Sequence, residues 1–232
     1  MAEALSTRAI LRGEMAGDWV GAREDDERAL ALGTPTATTR RRHAMVLLAF
    51  GRIRESVSEA RRAAELDPFG ISVYMLGESL QLAGDLEESE ATFRRHLAAR
   101  PESILTRFEL ARTLLLRGKP HDAAELFASI EDPLFQLQGL AMTEHALGHA
   151  AASDARLKEF VERYGGSYPF QVTETQAWRG ERGPALTSLA KSVAANDMDE
   201  ADRWSPFLHD LRDDPEFKAI VRRLNLPMDS AR

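Results

Sequence analysis

Apolar side chains recur at helical spacing, three, four and seven positions apart, in a series of short stretches separated by glycines and turn-forming pairs. Six of the glycines, Gly17, Gly51, Gly84, Gly118, Gly148 and Gly180, follow one another at intervals of 30 to 34 residues. Each follows one helical stretch and precedes another, where a left-handed backbone residue ends the first helix at little cost. Repeated spacing of this length is the mark of a helical array in which each unit buries its face against its neighbours.

The columns around the glycines repeat as well. Five positions after them stand Ala22, Ser56, Ser89, Ala123, Ser153 and Ala185; seven before stand Ile10, Ala44, Gly77, Ala111, Ala141 and Thr173. Most are small, as two helices of a hairpin require where they cross closely. Large apolar residues fill the adjoining columns: Leu76, Leu110, Leu140 and Val172 eight before, and Phe93, Phe127, Leu157 and Leu189 nine after. Ala9 and His43 depart from the first column, Asp26 and Ala60 from the second. Asp67-Pro68, Arg100-Pro101, Asp132-Pro133 and Gly165-Gly166 mark turns between units.

The segment Leu76-Gly77, Leu80, Gly84-Asp85-Leu86, Ser89, Phe93, Leu97 and Pro101 resembles a near-complete tetratricopeptide (TPR) motif, and Arg52-Ile53 with Ala63 to Pro68 resembles the back half of the preceding one. The resemblance implies an all-α, right-handed superhelical solenoid of about six helix pairs. The expected array covers residues 1–194, with its clearest repeats at about 37–130 and degenerate flanks, followed by a linker and capping helix at 195–232. The cap has its own signals. Asp214 suits an N-cap, Pro215 the first helical position and Glu216 the positive helix end, with Phe217, Ile220, Val221 and Leu224 on one face. Phe207, Leu208 and Leu211 are expected to pack beneath it. The tail and the opening Gly17-Asp18-Trp19-Val20-Gly21-Ala22 are similar to TPR regions attached to bacterial winged-helix regulators, nucleotide cyclases and protein kinases. That likeness implies a sensory or regulatory arm as an alternative to a free-standing scaffold.

Composition narrows the chemistry. With 44% hydrophobic and 29% charged residues the chain is globular, and its net charge of -7 with a pI near 5.5 disfavours nucleic acid, whose binders carry a basic stripe. The compact basic run Arg40-Arg41-Arg42, followed by His43, is expected to be a solvated helix start. The absence of cysteine excludes disulfides and thiolate chemistry. No signal-peptide pattern and no membrane-spanning stretch is present, so a soluble cytoplasmic protein is the expectation, and the resemblance to bacterial TPR regions implies a bacterial one. His145 and His149 lack the glutamate of a zinc-protease motif, Gly118-Lys119-Pro120 lacks a phosphate loop, and no nucleophile elbow occurs. The acidic runs Glu24 to Glu27 and Glu87-Glu88 read as solvated and dipole-complementing. His96 reads as half-buried between helix pairs. No catalytic residue, metal site or cofactor is expected.

In the arrays this sequence resembles, the first helices of the pairs line a concave groove. The column ten before each glycine holds Thr7, Arg41, Tyr74, Phe108, Gln138 and Phe170; the column six before holds Leu11, Met45, Glu78, Arg112, Met142 and Glu174, with Arg42 alongside. Aromatic and methionine side chains offer broad contact area for a peptide or partner helix. These residues from Arg41 to Glu174 form the expected partner-binding groove, and self-association is a further reading. Chaperone-binding TPR domains clamp a carboxylate with lysine, asparagine and arginine in these columns, and Arg41/Met45, Tyr74/Glu78 and Phe108/Arg112 cannot assemble that clamp.

Overall fold

The computed structural model describes residues 1–199, 201–224 and 226–227. Twelve α-helices form six antiparallel pairs: α1 (Ala2–Ala16) with α2 (Trp19–Ala31), α3 (Ala37–Ala49) with α4 (Ile53–Leu66), α5 (Ile71–Leu82) with α6 (Leu86–Ala99), α7 (Ile104–Leu116) with α8 (Pro120–Ala128), α9 (Pro133–Ala146) with α10 (Ala150–Tyr164), and α11 (Pro169–Trp178) with α12 (Arg182–Ala195). Short 3-10 helices at Asp202–Trp204 and Pro206–Leu211 precede α13 (Pro215–Val221). No strand occurs among the described residues.

The six repeating glycines all have positive φ, from 64° to 80°, in the left-handed region that a side chain disfavours. The small columns also have a polar function. The Ser89 hydroxyl donates to the Gly77 carbonyl at 2.9 Å, and Ser153 donates to the Ala141 carbonyl at 2.6 Å. In both pairs a serine of the second helix thus pins the small residue of the first, so the crossing is hydrogen-bonded as well as tight. Gly139 on α9 shows a close approach that the repeat does not reveal: a Cβ there would overlap the ring of Phe127.

The chain divides into two compact units. Unit 1 comprises Met1–Thr92 with Asp199–Trp204 and the described residues Leu226 and Pro227; unit 2 comprises Phe93–Met198 with Ser205–Leu224. In unit 1 the first helices α1, α3 and α5 pack in succession, and α2 and α4 each pack on the next first helix. One core joins Ala9, Trp19, Ala22, Val46, Ala49 and Phe50; another joins Ala44, Val57, Ala60, Ala64, Val73, Leu76 and Leu80. In unit 2, α7, α9 and α11 follow the same order. Leu134, Leu137, Ala141, Leu157, Phe160 and Val172 form one core.

Unit 2 closes on its capping segment. Phe170, Leu186 and Leu189 pack with Leu208, Leu211, Phe217 and Ile220. The Asp214 carboxylate accepts from the Glu216 amide at 2.8 Å, with Pro215 first in the helix, as the cap signals require.

Two sequence expectations are corrected in unit 1. The acidic run on α2 is not solvated at its centre: Asp25 and Asp26 are each only 1% exposed. Asp25 accepts from Arg8 at 2.6 Å through both oxygens and from Arg12 at 3.2 Å; hydrogen bonds from Arg8 outweigh burial and hold its pKa down at about 2. Asp26 meets His43 Nδ1 at 2.5 Å. The two polar residues that break the apolar columns therefore pair with each other through one oxygen of Asp26. Nor is the basic run a free helix start, since Arg40 also pairs with Glu59 at 2.8 Å. In unit 2, His96 is buried, not half-buried, and its Nδ1 lies 2.8 Å from the Thr106 hydroxyl.

Candidate functional site

The first-helix columns meet different surroundings in the two units. In unit 2, Phe108, Arg112, Gln138, Met142, Phe170 and Glu174 are all buried, where the sequence reading expects an open groove. Arg112 of α7 and Glu174 of α11 form a two-pronged ion pair with both bonds at 2.7 Å, across 62 residues of sequence. Gln138, on the intervening α9, donates to Glu174 at 3.3 Å. The pair thus spans three successive first helices along the face expected to take a ligand.

The chain's own C-terminal segment covers this ion pair. The Ser205 hydroxyl donates to Glu174 Oε1 at 2.5 Å. Phe207 places its ring 4.4 Å from the Arg112 guanidinium carbon, whose other neighbour is the Phe108 ring at 5.4 Å. Arginine suits such a slot because its plane accepts aromatic contact while its edge binds the carboxylate. Trp178 meets Phe207 edge-on at 5.5 Å and donates its indole N–H to the Met142 carbonyl at 3.1 Å. At the start of α11, Asp197 accepts from the Phe170 amide at 2.9 Å, and burial raises its pKa against that bond.

Unit 1 is arranged otherwise. Arg41, Arg42 and Met45 on α3 and Tyr74 and Glu78 on α5 are all half-buried. The Arg42 guanidinium donates to the Thr7 hydroxyl at 2.8 Å. Among the described residues, neither Arg41 nor Arg42 has a carboxylate within ion-pair distance. Burial, then the adjacent Arg42, lowers the Arg41 pKa, against a weaker pull from Asp67.

In unit 1 the C-terminal segment bonds to the far end of α3. Trp204 Nε1 donates to the Leu48 carbonyl at 2.9 Å, and Arg203 donates to the Ala49 carbonyl and, at 3.1 Å, to that of Pro227. These donors satisfy carbonyls that a helix C-terminus leaves over. Burial pushes the Arg203 guanidinium down to about 10.

His149 pairs with Glu144 at 2.7 Å at the start of α10, and no group of three His, Asp or Glu side chains converges among the described residues. No described helix is long and apolar enough to cross a membrane.

No protein-family model matches the chain, and no curated protein is significantly similar to it. Solved structures do resemble it. A tetratricopeptide repeat protein from Parabacteroides merdae is 12% identical, with a TM-score of 0.61 over 96% of this chain and 98% of that one. YrrB, described as a TPR protein with an unusual peptide-binding site, is 16% identical with a TM-score of 0.48, covering 81% of this chain and 97% of that one. The TPR domain of P58(IPK) is 13% identical with a TM-score of 0.39, covering 96% and 64%. The first of these, matched nearly end to end, joins the six glycine-terminated helix pairs in one assignment. The chain thus has the fold of the tetratricopeptide-repeat proteins.

Proposed function

We propose that the chain is a protein-interaction scaffold that holds an extended polypeptide on the first-helix face of unit 1, at Arg41, Arg42, Met45, Tyr74 and Glu78. The observation that carries this reading is the unequal state of the two faces. The unit 2 face is filled by Ser205 to Leu211, whereas the α3 and α5 positions remain half-exposed.

Magnitudes favour treating the unit 2 filling as permanent. Burying Phe207, Leu208 and Leu211 is worth about 1.5–3 kcal/mol each, so roughly 5–9 kcal/mol in all. A ligand of micromolar affinity supplies only about 8 kcal/mol. An incoming peptide would spend most of that on displacing the resident segment. The Arg112 and Phe108 side chains are thus core residues in this reading, and replacing them would damage the fold without testing a groove.

Site-specific photo-crosslinking tests the proposal. A benzophenone amino acid at position 45 is expected to trap a partner polypeptide that the same group at position 105, exposed on α7, does not trap. Equal yields from the two positions, or only dimers of this chain, would overturn it.

A further inference from the structure

The face proposed above also carries a chemical preference. On its resting surface, unit 1 neutralises most of its arginines internally. Arg8 and Arg12 hold Asp25, Arg40 holds Glu59, Arg52 holds Glu55, and Arg61 holds Glu88. Arg41 and Arg42 differ. They are neighbours on α3, half-buried, with no ion pair among the described residues; Arg42 donates to the Thr7 hydroxyl.

The α3 helix itself contains no acidic residue that could pair with them. A partly desolvated guanidinium gains most from a carboxylate that arrives with a ligand, because arginine binds it through two parallel N–H groups.

We infer that Arg41 and Arg42 recognise carboxylate side chains of an acidic polypeptide segment, with Met45 and Tyr74 taking its apolar residues; this rests on the reading of the unit 1 face given above. A nucleic acid would also offer anions, but the chain as a whole carries a net charge of -7 and repels a long phosphate backbone. An acidic peptide needs only a local match.

Fluorescence anisotropy with the full chain tests the inference. The probes are a labelled dodecapeptide of glutamate, leucine and glycine, its glutamine counterpart, and a thymidine oligonucleotide of similar charge. The glutamate peptide should bind about tenfold or more tightly than the glutamine peptide, a preference that added salt weakens. Arg41→Gln with Arg42→Gln should erase that preference, while Arg95→Gln, an exposed cation on α6, should leave it intact. The inference fails if the double variant keeps the preference, if the oligonucleotide binds more tightly than the glutamate peptide, or if neither peptide binds at up to about 1 mM. If both peptides bind equally and Met45→Ala with Tyr74→Ala abolishes both, carboxylate recognition is wrong but the unit 1 face remains the binding site.

Discussion

Two arginines on first helices of the same repeat lead opposite lives. Arg112 in unit 2 is 8% exposed, forks onto Glu174 and stacks under Phe207; Arg41 in unit 1 is half-buried with no carboxylate partner among the described residues. Both occupy columns that the repeat leaves free of pair packing. The difference teaches that a free column is not yet a binding surface. What matters is whether another part of the chain already occupies it.

The largest expected effect breaks this comparison at Arg112. Arg112→Leu leaves Glu174 buried with its main counter-charge gone and should lower unfolding free energy by about 3–5 kcal/mol in urea titration. Adding Glu174→Leu should recover much of that loss, because the pair's removal costs far less than its division. Next is the resident segment. Leu208 is fully buried, so Leu208→Ala should destabilise by about 2–5 kcal/mol without changing peptide binding at unit 1.

A smaller effect is readable only against pH. Asp25 has a folded-state pKa of about 2, below the ordinary value of about 3.9. Its contribution is therefore fully present above about pH 4–5 and lost as pH falls towards 2. Asp25→Asn should be less stable than the parent at neutral pH and should lose less further stability between about pH 5 and pH 3. An equal decline in both would show that the Arg8 and Arg12 bonds do not support the fold. The smallest expected change is at the open site. Arg41→Gln should alter stability by no more than about 0.5 kcal/mol in the same titration, since no ion pair is broken.

Much of the fold was legible in the sequence because its causes are local. A positive φ at a helix end requires glycine at Gly84 or Gly148, and Asp214-Pro215-Glu216 carries its own capping chemistry. The pairing of Asp26 with His43 left a trace too, as polar exceptions in two otherwise apolar columns. Their complementary chemistry was the available signal. The fate of the groove was less accessible. Pro206–Leu211, capped by Ser205, is a 3-10 segment without helical periodicity, so its apolar residues could be placed under the cap but not Ser205 on Glu174 or Phe207 over Arg112. The Arg112 and Glu174 pair depends on how successive helix pairs turn across 62 residues, which no local spacing encodes.

Hydrogen exchange with and without the glutamate peptide tests most directly the claim that one face is filled and the other open. The account predicts that the amides of the buried Phe207, Leu208 and Leu211 exchange only through large-scale unfolding and do so equally with peptide bound, while new protection appears in α3 and α5. Fast exchange of those amides in the free protein, or their release as peptide binds, would contradict it and return the unit 2 face to the role of binding site.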